Sequence, residues 1–338
     1  MSIFQENVSL KSYNTFGIEV KARYFVAVAS EDELRAVFAD PLAKTQRLLV
    51  MGGGSNMLFT HDFDGLVVKM DIQGISHEIA GGQVSVSAGG GVVWNDLVNY
   101  CVSHGFAGLE NLSLIPGTVG ASPIQNIGAY GVELKDVFAW CSAFEIATGQ
   151  IKTFGYADCA FGYRDSIFKN ELKGQFIITK VGFNLSQTAQ LHTHYGAINA
   201  ELEKRNIVDP SIADVSAVVS HIRVSKLPDP KTIGNAGSFF KNPVIEPEQF
   251  KQLVQKFPEV VHYPVAEGKI KLAAGWLIEQ CGFKGMVVGR TGTWKNQALV
   301  LVNHGGASGQ EVYDFSEQII QAVQAKFGVA LEREVNIL

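Results

Sequence analysis

The stretch NLSLIPGTVGASPIQNIGAYGV, Asn111 to Val132, runs for 22 residues without a charged side chain. That length fits a membrane-spanning helix. Its content does not: Pro116, Pro123, four glycines, three carboxamides and several hydroxyls are poor material for lipid. Such a segment reads instead as backbone laid against a ligand. Gly117, Gly120, Gly128 and Gly131 allow close approach. Thr118, Ser122, Gln125 and Asn126 supply polar groups, Ala121 and Ala129 add little bulk, and Tyr130 offers one aromatic face. This composition suits a large flat ligand together with its phosphates. A glycine-rich barrel corner is the alternative, although a corner needs one or two glycines rather than four.

A second glycine cluster, Gly52-Gly53-Gly54-Ser55-Asn56, follows the apolar run Leu48–Met51. Consecutive small residues can expose amides as an anion-binding nest, or simply make a tight strand connection. A Rossmann fingerprint would need glycine at position 57, which is Met57, and a helix next. Asp62-Phe63-Asp64-Gly65 reads as a turn between strands instead. No Gly-Lys-Ser/Thr occurs, so a P-loop is excluded.

At about 150 residues per domain, 338 residues suggest two or three domains. A hydrophobic share of 46% and a charged share of 18% are those of a globular chain. With 28 Lys and Arg against 33 Asp and Glu, the net charge of −5 argues against nucleic-acid or anionic-membrane binding. Cys101, Cys141, Cys159 and Cys281 are widely spaced with no CxxC pair, as expected of reduced thiols in a cytoplasm. The N-terminal residues lack a basic region followed by an apolar core, so no signal peptide is expected.

Up to about residue 185 the pattern is one of short strands: Tyr24–Ala29, Leu48–Met51, Leu66–Lys69, Val84–Ala88, Ala143–Ile146 and Phe176–Phe183. Two helices interrupt them. One is capped by Ser30 and Glu33 and stopped by Pro41; the other runs from Trp94 to His104 with Gly105 as its stop. From about 211 the pattern turns helical. Asp209-Pro210 opens one helix, and others are expected at Pro247–Phe257, Leu272–Cys281 and Glu311–Phe327, the last capped by Ser308 and Glu311. The whole reads as α+β with a boundary near Lys226–Lys231.

Three further groups carry polar chemistry. Gly162-Tyr163-Arg164-Asp165-Ser166 holds an arginine that is either a solvated surface group or functional. Asn235-Ala-Gly-Ser238-Phe-Phe-Lys-Asn242-Pro holds a serine with no neighbouring base, conceivable as a proton donor only towards a carbanion, or else a plain strand residue. Glu332 and Glu334, two apart, would share one side of a strand, as an acid/base pair or as solvated charges. His192-x-His194 could ligate a metal, but no further ligands cluster nearby in sequence, and no metal is expected.

Taken together, these segments resemble the UDP-N-acetylenolpyruvoylglucosamine reductase family, in its longer type I branch. The resemblance rests on Asn14-Thr-Phe-Gly17, Gly52–Asn56, Leu112–Gly131, Gly162-Tyr-Arg-Asp165, Lys226-Leu-Pro-Asp-Pro230, Gly234–Pro243, Lys271–Ile278, Asn296–Val300 and Leu331–Val335, in family order. It implies a two-lobed FAD-binding domain of the vanillyl-alcohol-oxidase (PCMH) type followed by an α+β substrate-binding domain. The lobes would be residues 1–70, with the C-terminal strand 331–338, and 71–227, including a tyrosine loop at 188–210; the substrate domain would be 228–330. The cofactor would be non-covalent FAD and the co-substrate NADPH, in a cytoplasmic monomer acting on a UDP-sugar in peptidoglycan precursor synthesis.

Carried over by motif, Ser238 would protonate the carbanionic centre, with Arg164 and Glu334 stabilising the enolate. The two glycine segments and Arg223 would hold the flavin. Tyr163, Tyr195, Lys226, Asn242, Tyr263, Lys271 and Gln297 would hold the substrate. This chain departs from the family pattern at Arg333-Glu334-Val335-Asn336, where Pro-Glu-Val-Arg is usual, and in the length of the tyrosine loop. The alternatives are another FAD oxidoreductase of this fold, or a nucleotide-sugar or flavin binder without catalysis.

Overall fold

Two sheets organise the first of two units in this computed structural model, which describes residues 3–195, 197–265 and 268–338. This unit gathers Met1–Val8, Ala22–Gly53 and Asp64–Arg223. Its smaller sheet has the order Gln5–Ser9, Lys21–Val28, Phe63–Met70, Leu48–Met51, the last two strands running parallel. Leu66, Val67 and Val68 are fully buried, as expected of a strand paired on both sides and covered on both faces. The helix Glu31–Ala39 lays Leu34, Val37 and Phe38 on Val26, Val28, Leu66 and Val68.

The helix cap differs slightly from expectation. Ser30 Oγ accepts from Glu33 N (3.1 Å), but the Glu33 carboxylate accepts from Ala29 N (2.7 Å), not from Ser30. Pro41 does more than stop this helix: it opens a second, Pro41–Thr45, capped by Asp40. Its fixed φ suits a first helical position. Asp62–Gly65 is not a turn, since the strand starts at Phe63.

The larger sheet is antiparallel, in the order Ile151–Gly155, Phe138–Glu145, Phe176–Ser186, Gln83–Gly89, Ile75–Ala80. Against it pack the helix Trp94–Ser103 and the stretch Leu109–Val132, in a core that includes Trp94, Leu97, Leu112, Val119 and Val181. Trp94 Nε1 donates to Leu112 O (2.9 Å) and Trp94 N to Gly117 O (3.0 Å), so the uncharged stretch is bound to a helix start. Phe144 and Ile177 reach into the core of the smaller sheet. Cys101, Cys141 and Cys159 are buried free thiols. Burial pushes Cys101 up to about 12, and a hydrogen bond with Cys159, then burial, raises Cys141, which favours the neutral thiol in both.

The stretch expected as a tyrosine loop contains a helix, Ile198–Lys204. Ile198 and Leu202 pack on Val215, Val218, Val219 and Ile222 of the helix Ile212–Lys226. That helix begins two residues after Asp209-Pro210. Ser211 and Asp214 exchange hydrogen bonds at its start, Asp214 N donating to Ser211 Oγ (3.2 Å) and Ser211 N to Asp214 Oδ2 (2.9 Å).

The second unit comprises Ser9–Lys21, Gly54–Phe63 and Val224–Leu338. An antiparallel sheet in the order Gly234–Ser238, Gln297–Asn303, Thr291–Trp294, Val287–Val288 carries the helices Ala274–Gln280 and Gly309–Phe327. The longer helix buries Val312, Phe315, Ile319 and Val323 along one stripe. Ser308 and Glu311 form its capping box, and Gly328 ends it at φ +66°. A small sheet orders Val244–Ile245, Ile270–Leu272 and His262–Pro264, with the helix Pro247–Lys256 following its first strand.

Asn14 ties the 9–21 segment together. Its amide donates to Leu10 O (2.8 Å) and Ile18 O (3.0 Å), and its Oδ1 accepts from Ile18 N (3.0 Å). The Asn14-Thr-Phe-Gly motif is thus architectural: Thr15 O accepts from Asn235 N (3.0 Å) and Phe16 O from Asn303 Nδ2 (2.9 Å). The segment Asn336–Ile337 runs parallel to Met57–Leu58, and Thr60 donates to Leu338 O through both its N–H and its hydroxyl (2.8 Å each).

Candidate active site

In the first unit the two glycine-rich segments lie directly on one another. A Cβ on Gly52 would run into the Thr118 hydroxyl, and one on Gly53 would come within 3.1 Å of Gly117 Cα. A Cβ on Gly120 would crowd Gly90 and the Ile178 carbonyl. Beside this contact opens a cavity of about 350 Å³, with walls that include Leu48, Val50, Met70, Ile124, Phe168 and Ile177. Its size lies at the lower end for small-molecule pockets, and apolar walls with a rim of glycine backbone suit a flat ring carrying phosphates. The residues present therefore fit FAD. Gly52→Val should abolish flavin retention, checked as the 450 nm absorbance per chain after gel filtration. Full retention would remove this contact from the cofactor site.

Within the glycine segments the polar side chains divide. Ser122 is buried, and its hydroxyl donates to Val119 O (2.7 Å). Asn126 is fully buried at φ +44°; its amide donates to Gly162 O (3.0 Å) and Glu133 Oε2 (3.2 Å), and its Oδ1 accepts from Lys135 N (3.0 Å). These two side chains brace the segment from within. Gly128 and Ala129 pair with Val132–Glu133 in a two-residue hairpin, with Tyr130 at φ +50°. Gly54, Ser55 and Asn56 belong to the second unit. There Gly54, at φ +62°, sits against Tyr13 O, and the Asn56 amide donates to Glu334 O (3.3 Å).

Arg164 stands on a turn of the first unit. Gly162 and Asp165 exchange backbone hydrogen bonds (3.0 and 3.3 Å), and Arg164 takes φ +55°. Left-handed backbone in a residue with a side chain costs about 1 kcal/mol or more and concentrates at functional sites. Arg164 also belongs to an electrostatic group with Arg223, Tyr130 and Tyr195. Burial pulls the Arg223 guanidinium below its ordinary value, Tyr130 opposes this, and the Arg164 charge adds to it. Burial pushes the Tyr130 phenol up, Arg223 counteracts it, and Tyr195 adds to it. Tyr130 packs against the core of the two helices that follow Tyr195, and Tyr195 Cβ lies 3.1 Å from where a Cβ on Gly131 would stand. Tyr163 and Tyr195 are exposed.

The remaining candidates fall in the second unit. Ser238 pairs with Val300 after a register slip that follows Asn235, where Gly237 takes φ +68° and donates its N–H to Asn235 Oδ1 (3.0 Å). Such irregularities re-aim side chains next to active sites. Glu334 N donates to Phe239 O (2.9 Å) and Lys241 N to Glu332 O (2.8 Å), so the glutamate segment lies along the residues after Ser238. Glu332 and Glu334, open in sequence as an acid/base pair or as solvated charges, stand in different surroundings. They flank a single bridge residue, not a strand, and Glu332 is an exposed partner of Lys241 at 2.5 Å, whereas Glu334 is half-buried. Arg333 is held by Ser316 Oγ (2.8 Å) and Glu317 (2.6 Å).

Asn242 Oδ1 accepts from Ala274 N (2.9 Å) and thereby caps the helix Ala274–Gln280. Lys271 stands opposite Tyr263 on one side and Val244 on the other. Gln297 Oε1 would lie 2.7 Å from a Cβ on Gly275, a close approach that explains the glycine in that helix. Lys226, at the end of its helix, is exposed. His194 of the His-x-His pair meets Asn199 at 3.2 Å, and both histidines are exposed. Asn235 reads from sequence only as part of the Ser238 motif, and Lys169 and Asn170 belong to no motif, because what they bond to, backbone carbonyls and a carboxylate a turn away, shows only in the fold.

Residues 229–338 match the family described as the UDP-N-acetylenolpyruvoylglucosamine reductase C-terminal domain, and residues 22–155 match an FAD binding domain. A UDP-N-acetylenolpyruvoylglucosamine reductase of Flavobacterium johnsoniae is 51% identical over 338 residues, covering 99% of each chain. Its counterpart in Chromobacterium violaceum is 48% identical over 338 residues, again covering 99% of each. In fold, the chain is similar to the UDP-N-acetylenolpyruvylglucosamine reductase of Thermus caldophilus, with a TM-score of 0.68, 23% identity and 99% of each chain covered. Among the described residues no helix is long and apolar enough to cross a membrane. With an FAD-binding half of α+β architecture and full-length relatives at such identity, this chain belongs to the UDP-N-acetylenolpyruvoylglucosamine reductase family.

Proposed function

We propose that the chain reduces the enolpyruvyl group of UDP-N-acetylglucosamine enolpyruvate to UDP-N-acetylmuramate, at the expense of NADPH, in peptidoglycan precursor synthesis. The observation that carries this reading is the full-length identity of 51% to a reductase of that name. The contact between the two glycine segments of the FAD-binding half supports it. Bound non-covalently, FAD supplies a hydride acceptor and donor. Ser238 delivers a proton to the carbon left electron-rich beside the substrate carboxylate, and a carbanion is basic enough to accept it. Arg164 stabilises the enolate, since a guanidinium fork matches a carboxylate-enolate and so aimed a charge acts most strongly out of water, while Glu334 assists as the neutral acid, donating a hydrogen bond.

In this reading Arg223 and Tyr130 line the flavin side, and Tyr163 and Tyr195 face the substrate. Lys226 and Lys271 take the diphosphate, while Asn242, Tyr263 and Gln297 contact the sugar and base. Residues 1–70 with 331–338, and 71–227, form the two flavin lobes, and 228–330 the substrate domain, in a cytoplasmic monomer. Anaerobic spectroscopy tests the whole. A yellow chromophore bleached by NADPH and restored by the enolpyruvyl substrate is expected; a colourless chain that takes up no added FAD would end the proposal.

Lys271→Ala should raise the substrate KM roughly 10- to 100-fold with kcat little changed, because a charge-assisted diphosphate contact away from the chemistry binds substrate and transition state alike. Steady-state kinetics read this directly. A fall in kcat at constant KM would take Lys271 out of substrate anchoring.

A further inference from the structure

The turn that carries Arg164 is held by groups that have no place in the reaction itself. Its base is fixed from three directions. The Asn126 amide donates to Gly162 O (3.0 Å), Asn170 Nδ2 donates to Asp165 Oδ2 (2.9 Å), and the buried Ser166 hydroxyl donates to Ile124 O (2.7 Å). At its tip Lys169 Nζ donates to the carbonyl oxygen of Arg164 at 3.0 Å. Arg164 occupies the third position of this turn at φ +55°, a place normally given to glycine or asparagine. A side chain with the reach and charge of arginine cannot be had from either, so the left-handed backbone must be favoured from outside. Lys169 follows Ser166 in a single helical turn, its own N–H donating to Ser166 O (3.0 Å), which fixes the base of its side chain.

We propose that Lys169 is a positioning residue for Arg164, its ammonium clamping the Arg164 carbonyl so that the guanidinium is presented in one orientation. The inference rests on the reading that Arg164 stabilises charge developing on the substrate. A charge-assisted bond to a carbonyl is directional and strong enough to select one backbone conformation, and loss of fine positioning alone can cost up to 10²-fold in rate.

The test uses the flavin-loaded enzyme with Lys169→Met, Lys169→Arg, Arg164→Ala and the Lys169→Met/Arg164→Ala double variant, each followed in both half-reactions by stopped flow. Lys169→Met should slow the half-reaction with the enolpyruvyl substrate by about 10- to 100-fold. The half-reaction with NADPH and the flavin spectrum should stay as in the parent. Lys169→Arg, which keeps a charged donor, should recover most of the loss. In the Arg164→Ala background Lys169→Met should add nothing, since both changes then remove one function. An equal further loss in that background would overturn the proposal, as would a wild-type rate for Lys169→Met. If Arg164→Ala itself reduces substrate at the wild-type rate, the role of Arg164 fails and this inference with it. A crippled Arg164→Ala beside an unaffected Lys169→Met sinks the positioning role alone. Should Lys169→Met not retain flavin, Lys169→Gln keeps a neutral donor, and the same cycle is read with it.

Discussion

Ser238→Ala is expected to leave the half-reaction with NADPH close to the parent rate and to slow the half-reaction with the enolpyruvyl substrate by about 10³- to 10⁴-fold, the upper part of the range for general-acid catalysis. The first half-reaction needs no proton from this residue. The second creates a basic carbon, and without the hydroxyl few donors reach it. Folding should be indifferent to the change: Ser238 is half-buried, and its place in the sheet is set by backbone pairing with Val300 and by the Phe239 N–H to Leu299 O bond (2.9 Å). Ser238→Cys is the sharper variant, since a thiol of similar reach is the stronger acid and should recover much of the rate. Stopped-flow absorbance at 450 nm reads both steps. An alanine variant that returns its colour with substrate at the parent rate would show that Ser238 is not the donor.

The second large effect is expected at Arg164. Arg164→Ala should lower the rate of substrate reduction by about 10²- to 10³-fold, the loss typical of one removed oxyanion-hole donor. Lysine should recover little of it, because a point charge cannot reproduce the planar fork. Arg164→Gly separates chemistry from backbone. Glycine relieves the left-handed φ of +55°, so this variant should be as inactive as alanine yet more stable than it, by about 1 kcal/mol in thermal or urea unfolding. Equal stability of the two would mean that the turn carries no strain; equal loss in both half-reactions would mean that the flavin site had been damaged instead.

Much of the local architecture was legible because it depends on neighbours in sequence. Leu48–Met51, the Ser308/Glu311 cap and the Gly328 stop sit where apolar runs and capping residues place them. Boundaries slipped where two local signals compete. Pro41 reads as a stop, yet it is also a good first helical residue, and Asp40 before it is a good cap. The helix Ile198–Lys204 was missed because its apolar residues are few and gain their burial from Val215, Val218 and Ile222 further along the chain. In the site, the residue types of the glycine segments pointed to a ligand. The same reading could not tell outward polar groups from inward ones, so Ser122 and Asn126 looked like ligand contacts although their side chains are engaged internally. Asn14 is the converse: a motif residue whose work is entirely backbone bonding.

The pairing of Asn336–Ile337 with Met57–Leu58 sets an order on biosynthesis. Thr60 and Leu338 are 278 residues apart in sequence, yet share two hydrogen bonds. The hairpins of the first unit can pair while the nascent chain is still being made, since Ile75–Ala80 needs only Gln83–Gly89 beside it. The 54–63 segment must instead wait, with Leu58 and Phe59 lacking their final cover, until residue 338 has left the ribosome. At some 5–20 residues per second, that wait is of the order of tens of seconds. Through that interval Leu58 and Phe59, fully buried in the finished fold, are open to chaperone capture or aggregation.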